Sequence, residues 1–177
     1  MIDQLEVDNF HLLFENNTPL MDVRAPVEYS RGSFPNSINS PLMTDNERHL
    51  VGRNFKKNGQ LSAIELGNQL VSGKIKNQRI NDWLDFINQN PSGVLYCFRG
   101  GLRSVIAQQW IFDYSGITYP RVKGGFKAMR RYLIEESSRI TNSKNFIVIG
   151  GQTGCGKTLL LNKFRNNIDL EGLANHK

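Results

Sequence analysis

The chain has 177 residues, a net charge of +6 and 39% hydrophobic residues, enough for one ordinary domain and a further piece. No apolar run nears the roughly 18 residues of a membrane helix, and the acidic start Met1-Ile2-Asp3-Gln4-Leu5-Glu6 lacks the blocks of a signal peptide, so a cytoplasmic protein without a membrane partner is expected. The basic balance suits phosphorylated or polyanionic partners, and two distant cysteines, each inside a glycine-rich motif, indicate neither a disulfide nor a zinc site.

Pro19–Val23 reads as a short strand ending in the polar turn Arg24-Ala25-Pro26, and Ile38–Leu42 as another after the turn at Ser33–Asn36. Residues Asp45 to Gly59 are basic and show no clear period, which suits a surface helix and loop. Ser62-Ala63-Ile64-Glu65 has the spacing of a capping box and opens an amphipathic helix to about Ser72. A second helix is expected over Gln78–Asn88, with Ile80, Trp83, Leu84 and Ile87 inward. Gly93–Tyr96 then reads as a buried strand, and Leu102, Val105, Ile106 and Trp110 as the inner face of a helix. Ile117–Val122 is a further strand and Phe126–Glu135 a helix. Strands alternating with helices predict a parallel sheet covered on both faces, with ligands beyond the carboxyl ends of the strands.

Between strand and helix lies Tyr96-Cys97-Phe98-Arg99-Gly100-Gly101-Leu102-Arg103-Ser104. At such a junction backbone N–H groups converge and the helix dipole favours negative charge. Cys97 therefore reads as a nucleophile facing an anionic substrate, with Arg99 and Arg103 as catalytic partners. Phe98, Gly100, Gly101, Leu102 and Ser104 complete the substrate loop, whose amides and guanidinium suit a tetrahedral oxyanion. Asp22, Arg24 and Glu28 read better as structural caps and ion pairs than as substrate contacts. Tyr96 and Phe98 either line the pocket or pack.

Ser137–Asn145 is polar and reads as a linker, which gives domains 1–137 and 146–177 with a linker over 138–145. A strand over Phe146–Ile149 and a helix over Thr158–Phe164 flank Gly151-Gln152-Thr153-Gly154-Cys155-Gly156-Lys157-Thr158, the G-x-x-x-x-G-K-[ST] phosphate loop. Gly151, Gly154 and Gly156 let the backbone wrap a di- or triphosphate, Lys157 reaches its end, and Thr158 is placed for Mg²⁺. One strand and one helix cannot bury a core alone.

Two resemblances follow. Asp22-Val23-Arg24, Glu28-Tyr29, Gly32, Pro35, Val122, Gly124-Gly125 and Phe126 resemble the rhodanese family over residues 10–136. This implies an α/β fold with a rhodanese-like parallel sheet, followed by the first strand–loop–helix of a P-loop domain. The loop is one residue longer than in many rhodanese sulfurtransferases and matches the rhodanese-fold cell-cycle phosphatases, although these usually have His where Tyr96 stands. The whole order of motifs, ending in Asp-Leu-Glu-Gly-Leu-Ala-Asn-His, is similar to the bacterial tRNA 2-selenouridine synthase family, with this chain as an N-terminal fragment.

That second resemblance implies a transferase that converts wobble 2-thiouridine of tRNA to 2-selenouridine. Selenophosphate and geranyl diphosphate would be co-substrates, with no tightly bound cofactor. The route implied passes through geranylated 2-thiouridine and a Cys97 perselenide. tRNA and a selenophosphate-supplying enzyme would be partners. Candidate tRNA contacts are Arg48, Arg53, Lys56, Lys57, Arg121, Lys123, Lys127, Arg130 and Arg131. A general sulfurtransferase, a C-x5-R phosphatase and a non-catalytic tRNA-binding fragment are the alternatives.

Overall fold

Five short segments become strands: β1 (Glu6–Val7), β2 (Leu20–Asp22), β3 (Ser37–Asn39), β4 (Val94–Tyr96) and β5 (Arg121–Val122). The structure, a computed structural model, describes residues 5–174; Met1–Gln4 of the acidic start and Asn175-His176 of the closing motif lie outside the described residues. The strands form one parallel sheet in the order β1-β5-β4-β2-β3, with Leu20 level with Val94 on one side and Ser37 on the other. The chain divides into two units, Met1–Glu135 and Glu136–Lys177.

The first unit carries α1 (Phe10–Glu15), α2 (Pro26–Ser30), α3 (Asp45–Leu70), α4 (Gly73–Gln89) and α5 (Leu102–Ser115), and the division between the units falls inside α6 (Gly125–Ser143). Successive strand residues point to opposite faces, and two apolar clusters record that alternation. Met21, Val23, Leu95 and Cys97 face a cluster with Ile80, Trp83 and Ile87 of α4 and Ala107 and Ile111 of α5. Leu20, Val94, Tyr96 and Val122 face Leu13 of α1 and Met129 of α6. The expected coverage of both faces is thus present. Trp83 is fully buried and donates its indole N–H to Ser40 O at 2.9 Å, so the polar atom is satisfied inside the core.

Several expectations need correction. The aperiodic stretch after Asp45 and the helix expected from Ser62 are one assignment, α3, broken at Gly59 (φ 82°). Asn54 Nδ2 donates to Ser62 O at 2.9 Å and Oγ at 3.0 Å, so the two arms fold back on one another as a hairpin. The capping box that starts this element is Thr44 with Glu47, not Ser62 with Glu65. Pairing with β1 and β4 engages only Arg121–Val122 of the strand expected over Ile117–Val122. Residues read as a linker are helical up to Ser143, where Arg139 and Glu136 form an ion pair at 2.5 Å along the helix.

In the second unit the strand expected over Phe146–Ile149 does not form, and Ile147 and Val148 are exposed. A strand needs a neighbour to complete its hydrogen-bond ladder, and no described residue of this unit supplies one. The helix after the phosphate loop is α7 (Lys157–Leu161), shorter than expected, and α8 (Leu170–Leu173) follows. Among the described residues no helix is long and apolar enough to cross a membrane.

Candidate anion-binding loop around Cys97

Cys97 follows the last residue of β4, at the carboxyl edge of the sheet, and Gly101 caps the start of α5. Between them the chain turns at Gly100 (φ 64°), a conformation that disfavours a side chain. The turn also needs space: a Cβ on Gly100 would lie 2.6 Å from Gly124 N, and one on Gly125 would lie 2.1 Å from Cys97 O. Gly124-Gly125 therefore forms a close backbone floor beneath the loop. The floor is bonded as well as packed, since Phe126 N–H donates to Cys97 O at 2.9 Å and Lys127 N–H to Phe98 O at 3.0 Å. Arg121, 5% exposed, adds a bond of 2.7 Å to Gly100 O and an ion pair of 2.5 Å with Glu6.

These bonds occupy loop carbonyls and leave the loop N–H groups. Among the described residues, none of the backbone N–H groups of residues 98–103 has a hydrogen-bond partner. Six successive donors at the start of a fourteen-residue helix are the feature an anion would use.

The sulfur itself is less open than the sequence suggested. Cys97 is 2% exposed and belongs to the α4–α5 core, as the alternation from Leu95 requires. Its polar contacts are Gly101 O, 3.8 Å from Sγ, and the Ser104 hydroxyl at 3.3 Å, which itself donates to Gly101 O at 2.9 Å. Arg103 is turned to Glu28, with Nη1–Oε2 at 2.5 Å and Nη2–Oε1 at 3.1 Å. Glu28 is shared: it pairs with Arg48 at 3.0 Å and accepts from Ala25 N–H at 3.2 Å. Burial acts to raise the Glu28 pKa, but the hydrogen bond and charge of Arg103, then Arg48 and the Ala25 amide, outweigh it and hold it below 4.5. Arg99 is exposed, its guanidinium 5.9 Å from the Phe98 ring centroid.

Of the remaining loop residues, Phe98 stacks on Phe126 at 6.0 Å and Leu102 is exposed. Tyr96 is buried against Phe34, so it packs and does not line a pocket. Burial first, and then Asp22, push its hydroxyl pKa up. The structural reading of Asp22 and Arg24 holds: they form a buried ion pair at 2.6 Å, with Arg24 over the Phe126 ring and bonded to Gly32 O. What the sequence did not connect is Glu28 with Arg103, 75 positions apart, or Gly124-Gly125 with Gly100.

In the second unit, Lys157 Nζ donates to Gly151 O at 2.9 Å and Gln152 O at 3.0 Å, and Gly154 and Gly156 both take positive φ. The lysine thus lies over the glycine loop. Thr158 and Cys155 are exposed, and no group of three His, Cys, Asp or Glu gathers among the described residues. Of the basic residues considered for tRNA, Arg121 is withdrawn: it is buried and braces the loop. Arg48, Lys123 and Arg131 carry acidic partners in Glu28, Asp8 and Glu135. Arg53, Lys56, Lys57, Lys127 and Arg130 are exposed.

These features define an α/β protein with a Cys-x5-Arg loop at the carboxyl edge of a parallel sheet. The model of the tRNA 2-selenouridine synthase AAA domain matches residues 144–177. A tRNA 2-selenouridine synthase of Marinobacter nauticus is 56% identical over all of this chain and 48% of its own length. One of Pseudomonas syringae pv. syringae is 52% identical over 96% of this chain and 46% of its own. A crystal structure of the N-terminal domain of a protein from Clostridium difficile 630, provisionally described as ATP/GTP binding, superposes with TM-score 0.56 and 30% identity, over 66% of this chain and 89% of that one. The chain is similar to tRNA 2-selenouridine synthases over nearly all of its length and spans about half the length of the curated relatives it matches.

Proposed function

We propose that the protein takes part in tRNA modification as a selenium transferase of rhodanese-like fold, exchanging the sulfur of wobble 2-thiouridine for selenium from selenophosphate. The observation that carries this reading is the row of unpartnered N–H groups over residues 98–103, beside Cys97 and within one turn of Arg103. A tetrahedral oxyanion bound there would meet the loop amides and one guanidinium, with Arg99 free to approach from solvent. The names of the relatives support the substrate class.

Electron balance sets a condition on the carrier step. Selenium in selenophosphate is at the selenide level, so cleavage of its phosphorus–selenium bond by water yields phosphate and selenide. A Cys97 perselenide then requires an oxidised sulfur: selenide attacks Sγ of a Cys97 disulfide with a small thiol, the S–S bond breaks, and the thiol leaves with the electron pair. The Ser104 hydroxyl lies 3.3 Å from Sγ and, on turning away from Gly101 O, would donate to sulfur at this point.

Geranylation of the 2-thio group, which makes sulfur a better leaving group, belongs to the same proposal. Gly151, Gly154, Gly156, Lys157 and Thr158 would hold the diphosphate of geranyl diphosphate, the Lys157 ammonium exchanging loop carbonyls for phosphate oxygens. Thr158 is the one protein ligand the motif offers a Mg²⁺ ion, which would neutralise diphosphate charge. A phosphatase reading is weaker. The carboxyl group nearest Arg103 is Glu28, whose lowered pKa keeps it ionised and unfit to protonate a leaving group.

Intact-mass analysis tests the carrier step. In a Cys155→Ser background, which removes the exposed second thiol, protein with Cys97 held as a mixed disulfide should gain one selenium after selenophosphate treatment, and the further change Cys97→Ser should abolish the gain. Equal gain in both, or none in either, removes Cys97 as the carrier.

A further inference from the structure

A cavity of about 520 Å³ lies between the two arms of α3 and the first turns of α5, within the range of small-molecule sites. Its walls are mainly apolar, with Val51 and Ile64 from the two arms of α3 and Ile106 and Trp110 from α5. The arms are cross-linked by the Asn54–Ser62 bonds, and the turn between them rests on Gly59, so this wall exists before any ligand arrives. The charge of the lining is one-sided. Arg48, Arg53, Lys56 and Arg103 contribute to it, and no Asp or Glu does.

Arg48 and Arg103 already share Glu28, whereas neither Arg53 nor Lys56 has an acidic partner among the described residues. An apolar space edged by two unneutralised cations complements one kind of small molecule: a carbon-rich group bearing an anion. Phosphate is the anion that a guanidinium and an ammonium bind best together. The cavity also shares Leu102 and Arg103 with the Cys97 loop.

We propose that this cavity holds the apolar tail of an amphipathic phosphate, with Arg53 and Lys56 gripping the phosphate and the tail lying between Val51, Ile64, Ile106 and Trp110. Its position beside the loop rests on the proposed function; its capacity to bind does not. A ligand seated there would lie next to the last residues of the Cys97 loop, and the cavity would select for the carbon skeleton while the cations select for charge.

Decyl phosphate is a suitable probe, titrated into the full chain while Trp110 fluorescence is followed. Trp110→Phe identifies the signal against Trp83. Saturable binding is expected for decyl phosphate, weaker binding for decanol, and none for inorganic phosphate over the same range. Arg53→Gln with Lys56→Gln should weaken decyl phosphate about tenfold and leave decanol unchanged. Ile64→Trp should fill the space and abolish both; Val51→Phe does the same from the other arm if Ile64→Trp fails to fold. Inorganic phosphate binding as well as decyl phosphate overturns the apolar part. Unchanged decyl phosphate affinity in the double variant overturns the phosphate part, and full affinity in a folded filling variant overturns the site. Loss of this binding with selenium still reaching Cys97 removes the cavity alone, and the converse removes the carrier step alone.

Discussion

Replacing Glu28 by Gln should cost the first unit about 2 kcal/mol at pH 7, and that cost should vanish in acid. Glu28 makes two bonds to Arg103, one to Arg48 and one to Ala25 N–H. A hydrogen bond to a charged group contributes about 1.5–3 kcal/mol when well shielded. Here the Glu28 side chain is 10% exposed, Arg103 23% and Arg48 45%, so solvent screens the outer pair and only the Arg103 fork counts near full value. Gln keeps one acceptor and loses the charge, which leaves a net loss of about 2 kcal/mol. For a unit of this size that corresponds to a fall of roughly 6 °C in Tm. The pH dependence has a definite sign. Because the folded-state pKa of Glu28 lies below 4.5, its stabilisation is complete above 4.5 and is lost as pH falls through the folded value. Urea titrations of both proteins at pH 7, 5 and 3.5 should show midpoints that differ at pH 7 and 5 and converge toward pH 3.5. Equal midpoints at pH 7, or a difference that persists at low pH, would refute the assignment of the clamp to this carboxylate.

Three further outcomes are expected. Gly125→Ala should destabilise the unit by about 3 kcal/mol or more in urea unfolding, because its Cβ would meet Cys97 O at 2.1 Å at a φ of 57°; a loss under 1 kcal/mol would show that the floor can yield. Thiol titration of the native protein should label exposed Cys155 quickly and buried Cys97 only slowly, with both fast in denaturant; two fast native thiols would contradict the burial of Sγ. Trp83→Leu should cost about 3 kcal/mol, since it opens a cavity at the centre of the α4–α5 core and orphans Ser40 O, and a change within 0.5 kcal/mol in thermal or urea midpoints would argue against that packing.

The stretch from β4 through the Cys97 loop to α5 was legible because each cue there is local: a buried apolar run, two glycines and a helical period. The α3 hairpin was not, since its first arm is largely exposed and carries no strong amphipathic period. The helical continuation past Glu135 was hidden for a similar reason, its serines and threonines reading as loop when they only decorate a solvated helix. The strand expected over Phe146–Ile149 has the local propensity but does not form, because a strand is a property of a pair. The burial of Cys97 was readable, yet outweighed. Counting two from Leu95 puts it on the core face, and the chemistry of the loop drew attention to its other side. Glu28 and Arg103 lie beyond any local cue: only the closing of β2 against β4 brings them together.

Burial and reactivity meet at that pair. The underside of the loop is fixed by Phe126 and Lys127 N–H groups and by the close floor at Gly124-Gly125, while among the described residues the N–H groups of residues 98–103 have no partner. Arg103, in the first turn of α5, is held to Glu28. Letting it go is less costly than removing Glu28, because the carboxylate keeps Arg48 and the Ala25 amide when Arg103 leaves. An arriving phosphate-like anion returns two charge-assisted bonds to the freed guanidinium and more to the loop amides, at about 1.5–3 kcal/mol each in a shielded site. The exchange therefore favours opening when an anion is present and closure when none is. The carboxylate that holds Arg103 at rest is then the partner that an arriving tetrahedral anion has to replace.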